Sequence, residues 1–315
     1  MITHLVKRLE HGFRKQTPMK LPTSLRVLDL CTGTGCMSFL FRHEFTKCLP
    51  EYGTPTILGV DISAQAIKLA NANKKNLAIS DGAQLNFVRA DILAPPKGKV
   101  GETETHATND APNLYEVLEG LQQPQWDILV ANPPYISPKA FRKDTARSVR
   151  DYEPEPALVP PQRGTDSDEE QGDLFYPHLL SIAEKIGAKI VLFEVGGDDQ
   201  AMRVAPKAAT RLRDGTYTQL IRKDMQPYWQ GIELWRDDLE GASLETKRGL
   251  EESVANGDCL FYTHGTGNDR AVFMWREEAG EWLAARPFSK YNYGLDTGCE
   301  LCLAAYEKKH GHSLQ

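Results

Sequence analysis

The chain has 315 residues, 41% hydrophobic and 25% charged, with 43 Asp+Glu against 37 Lys+Arg for a formal net charge of −6. That length allows one large domain or two small ones around a sizeable core, and no run of about 18 apolar residues marks a membrane-spanning helix. The mildly acidic balance argues against broad phosphate wrapping, and six cysteines scattered over the chain favour a reducing compartment over a secreted disulfide framework.

Residues 1–24 read as a basic helix, with Lys7, Arg8, Arg14, Lys15 and Lys20 against the single acid Glu10. The charge is that of a mitochondrial presequence, while Ile2, Leu5, Val6 and Leu9 share one helical face, as in an amphipathic helix of a folded domain. From Arg26 onward short apolar runs alternate with helical patterns, the signature of βαβ units and a parallel sheet. Strands are expected at 26–30, 56–61, 85–89, 126–131 and 189–194, with helices at 36–44 and 64–76, the latter capped by Ser63. Residues 94–125 and 237–268 break this rhythm and read as surface insertions in a domain spanning 25–276. The acidic run Asp166, Asp168, Glu169, Glu170 reads as a solvated loop. Late in the chain, 229–236 and 270–276 are strand-like with no long helix between them, which predicts an antiparallel pair at the edge of a mostly parallel sheet. Residues 277–315 form a tail whose Cys299, Cys302, His310 and His312 match no common zinc spacing, so a packed helix is expected there and no metal.

Candidate chemistry clusters after the strands. The first is followed by Asp29-Leu30-Cys31-Thr32-Gly33-Thr34-Gly35, where two glycines allow a sharp turn and close approach to a nucleotide-like ligand at a helix N-terminus. A dinucleotide fingerprint needs a third glycine three residues on, and Ser38 stands there. Asp61 ends the second strand, suited to accept both hydroxyls of a ribose, with Ile62 after it. Asp91 follows the third, suited to accept from an adenine amino group while Ile92 covers the ring. After the fourth strand comes Asn132-Pro133-Pro134-Tyr135. Two prolines remove two backbone donors, so the Asn132 side-chain oxygen and the Pro133 carbonyl become acceptors facing one point, with Tyr135 as a wall. Two acceptors beside an aromatic wall fit a planar –NH2 group.

Asn-Pro-Pro-Tyr together with the DLCTGTG turn resembles the amino-methyltransferases. The NPPYIS extension at Asn132–Ser137, the block Arg147-Ser148-Val149-Arg150-Asp151-Tyr152-Glu153-Pro154 with Ala157-Leu158-Val159, and Phe193-Glu194-Val195-Gly196 narrow the resemblance to the HemK/PrmC release-factor glutamine methyltransferases, especially their eukaryotic organellar members. It covers roughly residues 20–236 and the strand around Val272.

The resemblance implies a Rossmann-like, AdoMet-dependent methyltransferase fold: a mostly parallel seven-stranded sheet with an antiparallel edge hairpin. It implies S-adenosyl-L-methionine (AdoMet) as cofactor, bound by Asp29, Cys31, Thr32, Gly33, Thr34, Gly35, Asp61, Ile62, Asp91, Ile92 and Asn132. Asn132, Pro133, Pro134 and Tyr135 are expected to carry methyl transfer to the glutamine of a Gly-Gly-Gln loop in a peptide-chain release factor. Mitochondria are the expected compartment, with the cytoplasm as the alternative, and neither membrane nor stable nucleic-acid binding is expected. Two other readings stay open: an adenine or guanine amino-methyltransferase, and a truncated relative that only binds AdoMet. The family also implies an N-terminal helical domain and a Pro-Arg-x-x-Thr-Glu segment before the core; the sequence starts about 25 residues before its first strand and contains neither.

Overall fold

The computed structural model describes residues 1–15, 21–80, 84–94, 110–163, 167–213, 231–238, 261–264, 266–276 and 279–283. The tail cysteines and histidines, 299–312, lie outside them. Strands form at Arg26–Leu30 (β1), Thr56–Asp61 (β2), Leu85–Arg89 (β3), Ile128–Ala131 (β4), Ile190–Glu194 (β5), Gly231–Asp238 (β6), Phe261–His264 (β7) and Thr266–Trp275 (β8). Each of β1, β2, β4 and β5 has an almost continuously buried pattern, as a parallel sheet covered on both faces requires.

The sheet runs β3-β2-β1-β4-β5-β8-β6-β7. From β3 to β5 all neighbours are parallel, whereas β8 is antiparallel to both β5 and β6. The seven-stranded arrangement with its antiparallel pair is therefore present. The eighth strand, β7, pairs in parallel with β6 and comes from within the stretch 237–268.

Helices cover both faces. Ile2–Arg14 (α1), Cys36–Cys48 (α2), Ala64–Asn76 (α3) and a short turn of helix near the end of the described chain contribute to one core layer. Leu114–Gly120 (α4), Phe175–Lys185 (α8) and Asp198–Arg213 (α9) contribute to the other. Between β4 and α8 the described residues form short α-helices at Pro138–Lys143 (α5), Arg147–Tyr152 (α6) and Asp168–Gly172 (α7), with a 3-10 turn at Glu155–Ala157. Helix α2 runs one turn beyond the expected end because Phe41, Phe45 and Leu49 continue its buried stripe. Part of the stretch 94–125 also belongs to the core: Asn113 caps α4, accepting from the Tyr115 N–H, and Leu114 and Leu118 are buried.

The basic N-terminal segment packs as a folded helix. Ile2, Leu5, Val6 and Leu9 are buried beneath α1, and Arg8, stacked over the Phe273 and Trp275 rings, forms an ion pair with Glu233 of β6. Its apolar face and its Arg8 are thus both used, while Lys7 and Lys15 are exposed. Leu5→Ala is expected to cost about 2–5 kcal/mol, seen as a lower urea midpoint. A loss below about 0.5 kcal/mol would show that α1 only rests on the surface.

Candidate active site

The parallel register brings the strand ends to one edge. Leu30 pairs with Val60 and with Ala131, Asp61 with Arg89, and Ala131 with Phe193. The turn from Cys31, Asp61, Asn132 and Glu194 therefore all project at the carboxyl edge of the sheet. The chain reverses its direction of travel across the sheet between β1 and β4, the place where open α/β sheets leave a crevice.

The turn after β1 places Cys31 (φ 59°), Gly33 (φ 55°) and Gly35 (φ 86°) in the left-handed region. At Gly35 a Cβ would stand 2.7 Å from Phe39 and 2.8 Å from Phe87, so only glycine fits. Asp29 lies beneath the turn with no solvent exposure. Its Oδ2 accepts from Thr32 Oγ1 (2.7 Å), Ser38 Oγ (2.6 Å) and the Ser38 N–H (3.1 Å), while Oδ1 is buried with no hydrogen-bond partner among the described residues. Ser38, where a dinucleotide fingerprint has glycine, thus ties the helix start to the strand. Burial pushes the Asp29 carboxyl up to about 6, the Ser38 and Thr32 hydrogen bonds opposing it.

Asp61 braces the same turn from the side. Its Oδ2 accepts from the Gly33 N–H (2.9 Å) and its Oδ1 from the Ser63 N–H (2.8 Å), leaving further lone pairs on both oxygens. Ile62 is 45% exposed. Thr34 offers its carbonyl to Asn73 Nδ2 at 3.1 Å. Asp91 and Ile92 are different: both are buried, Asp91 accepts from the Leu93 N–H (2.8 Å) and bridges to Asn113, and Ile92 sits in the core layer of α4 and α8.

The Asn132–Tyr135 turn buries its prolines and exposes Asn132. Neither the Asn132 side chain nor the Pro133 carbonyl has a hydrogen-bond partner among the described residues. Tyr135 donates its hydroxyl to Glu194 Oε1 at 3.1 Å. Burial, reinforced by Glu194, pushes this phenol up to about 12, and burial also raises the Glu194 carboxyl. The following residues are tied outward, the Ile136 N–H to the Leu158 carbonyl (2.9 Å) and Ser137 Oγ to Asp168.

Asp168 also accepts from the Lys139 N–H at 2.8 Å, which corrects the reading of this residue as part of a solvated loop; Glu169 and Glu170 are exposed, and Asp166 lies outside the described residues. Desolvation pushes its carboxyl up, but the Ser137 and Lys139 hydrogen bonds outweigh this and hold it below its ordinary range. Asp168 opens α7, where Ser167 accepts from the Glu170 N–H at 3.0 Å; Ser-x-x-Glu is the sequence signal of such a helix start. Sequence reading also missed Gln200, which donates to the Tyr135 carbonyl at 3.3 Å. Its position beside the buried Ala201, Val204 and Ala208 of α9 was the available signal, a polar residue on an apolar stripe.

A family model described as a methyltransferase domain matches residues 22–120. The probable MRF1 mitochondrial N(5)-glutamine methyltransferase of Schizosaccharomyces pombe is 32% identical over 179 residues, 56% of this chain and 50% of that one. The mitochondrial MRF1 N(5)-glutamine methyltransferase of Saccharomyces cerevisiae is 30% identical over 135 residues, 43% and 33% of the two chains. A release factor glutamine methyltransferase of Thermodesulfovibrio yellowstonii is 27% identical over 176 residues, 55% and 47%. The chain spans half or less of the length of these curated relatives. The matched segment, residues 22–120, holds the Gly-rich turn and strands β1, β2 and β3.

Proposed function

We propose that the chain is an AdoMet-dependent glutamine N5-methyltransferase that modifies the Gly-Gly-Gln loop of a peptide-chain release factor in mitochondria. The observation that carries this reading is the pair of unpartnered acceptors, the Asn132 side chain and the Pro133 carbonyl, on a double-proline turn beside Tyr135. The relative named as a release factor glutamine methyltransferase supports the substrate, and the two named as mitochondrial MRF1 N(5)-glutamine methyltransferases support the modified atom and the compartment. Among the described residues no helix is long and apolar enough to cross a membrane.

The residues at the carboxyl edge fit AdoMet. Asp29 Oδ1 is a buried acceptor without a partner, suited to an amine, and Asp61 keeps lone pairs for a ribose diol. Gly33 has nothing within 4 Å of the place a Cβ would occupy, so its backbone is open to close approach. When bound, AdoMet supplies an electrophilic methyl group. Everything else falls to the chain. An amide nitrogen is a poor nucleophile because its lone pair is delocalised into the carbonyl. By accepting both N–H bonds, Asn132 and Pro133 fix the plane of the –NH2 and favour positive charge developing on the nitrogen. Neither group is a base, so the proton leaves to solvent only as the nitrogen is methylated. Tyr135 stays a neutral phenol across physiological pH and serves as a wall.

The test is a mitochondrial release factor incubated with AdoMet and the chain, followed by peptide mass analysis. One added methyl on the loop glutamine is expected; an unmodified loop, with methyl appearing instead on adenine or guanine, overturns the reading. Asn132→Ala is expected to lower transfer about a hundredfold or more with AdoMet affinity retained. Asp61→Ala is expected to weaken AdoMet about tenfold or more, measured by calorimetry.

The Asp29 carboxyl stands above its ordinary value in the folded chain, so its ionisation costs stability that is absent below about pH 4 and fully felt above about pH 6. Asp29→Asn should therefore be more stable than wild type at pH 7.5, by on the order of 1–3 kcal/mol. The gap should close as pH falls toward 4, while AdoMet affinity drops. A gap that does not change with pH would rule out the buried charge as its source.

A further inference from the structure

We propose that Gln200 is a positioning residue that aims the Pro133 carbonyl, a role that rests on reading the Asn132–Tyr135 turn as the amide-binding element. Pro133 and Pro134 have no N–H, so the turn has few donors with which to tie itself down. Its anchors must come from elsewhere and must donate to its carbonyls. Gln200, 7% exposed at the start of α9, does this. Its Nε2 carries two N–H bonds for three acceptors: one points to Asp173 Oδ1 at 2.9 Å, and the other is shared between the Gly172 carbonyl at 3.2 Å and the Tyr135 carbonyl at 3.3 Å. Its Oε1 accepts from the Gly196 N–H (2.8 Å) and lies 3.3 Å from the Tyr176 hydroxyl, which also reaches the Glu194 carbonyl at 2.9 Å.

The chemistry of the partners fixes which way the amide points. All three groups around Nε2 are acceptors, and the Gly196 N–H at Oε1 is only a donor, so a flipped amide would lose every one of these bonds except that of Tyr176. The Asp173 end is held in turn by Arg203, whose Nε and Nη2 reach its two carboxylate oxygens at 2.8 and 3.0 Å. Gln200 is therefore clamped before it clamps Tyr135.

Tyr135 is gripped at both ends. Gln200 holds its carbonyl, Glu194 accepts from its hydroxyl, and Gly196, two residues after Glu194, gives its N–H back to Gln200. The path Tyr135–Gln200–Gly196–Glu194–Tyr135 is closed. Gly196 leaves room for it, since a Cβ there would stand 3.2 Å from the Tyr135 ring and 3.3 Å from Gln200 Oε1. Pro134 lies between Tyr135 and the Pro133 carbonyl, and its ring fixes one of the few dihedrals that separate them. Holding Tyr135 therefore sets the direction of the Pro133 carbonyl, one of the two acceptors for the substrate –NH2.

The test compares wild type, Gln200→Met and Arg8→Met in the full chain. Gln200→Met keeps the volume and removes the hydrogen bonds. Arg8→Met breaks the pair with Glu233 on the opposite face of the sheet and serves as a destabilised control. Gln200→Met is expected to lower kcat about tenfold to a hundredfold, with KM for the release factor and Kd for AdoMet each within about threefold of wild type. Amide hydrogen exchange is expected to rise selectively in Asn132–Ser137. Arg8→Met should lose stability with kcat and that exchange pattern unchanged. A Gln200→Met enzyme with wild-type kcat, or one whose exchange rises uniformly as in a merely destabilised protein, overturns the proposal. Should Gln200→Met not fold, Gly196→Ala, which crowds the same grip, carries the test: a fall in kcat of about threefold or more is expected, and an unchanged kcat overturns it. If wild type leaves the release factor unmethylated, the substrate reading fails, while the exchange comparison still decides the role of Gln200.

Discussion

Asp29 is a carboxylate buried without solvent contact under a turn that contains three left-handed residues. Both features cost free energy, since a buried charge loses hydration and Cys31 at φ 59° is strained for a residue with a Cβ. What makes them tolerable is that each supports the other. The turn delivers the Thr32 hydroxyl and the first turn of α2 to Asp29 Oδ2, and Asp29 in return fixes where strand stops and helix starts. Asp61 closes the arrangement by accepting from Gly33, so the turn hangs between a carboxylate below and another beside it. The position of α2, and with it the Phe41 and Phe45 layer beneath α1, follows from that turn.

The two halves of the crevice solve opposite problems. The Gly-rich turn is rich in backbone N–H groups, and the groups that hold it are acceptors, Asp29 and Asp61. The Pro-Pro turn has almost no N–H to offer, and the group that holds its Tyr135 end is a donor, the amide of Gln200. A carboxylate at this place could accept from the Gly196 N–H, but it could not donate to the Tyr135 carbonyl. The composition of each turn thus dictates the residue type of its anchor, which explains why a neutral amide rather than a further acid stands at Gln200.

Legibility in the sequence tracks the range of the interactions involved. Strands β1, β2 and β3 and helix α3 lie where the local pattern puts them because short apolar runs bounded by turn signals, and the Ser63 cap, are contained within a few residues. Helix α4 was hidden because the prolines and glycines upstream of it outweigh two leucines, although Leu114 and Leu118 have helical spacing. Asp168 looked like part of a charged loop because its partners Ser137 and Lys139 are about thirty residues earlier. Gln200 stands out locally as a polar residue on an apolar stripe, but its partners are hidden for the same reason, its donor contacts lying 27, 28 and 65 residues away. No periodicity reports a contact of that span; only the folded sheet edge creates it.

The charge along that edge has a direction as well. Asp29 and Asp61 flank the Gly-rich turn, Asp91 follows β3 and Glu194 ends β5, so acids recur along the carboxyl side of the parallel strands. Burial is the main cause raising the Asp29 and Glu194 carboxyls, so a cation brought against either one would offset part of the hydration each has lost. Such an edge favours a cationic ligand over a neutral one of the same shape and over any anionic one. A sulfonium ligand is attracted while it carries its methyl and loses that attraction once the charge is gone. On the proposed reading, the carboxylates that build the turn therefore also bias the site toward exchanging a spent ligand for a fresh one, without any part of the chain having to move.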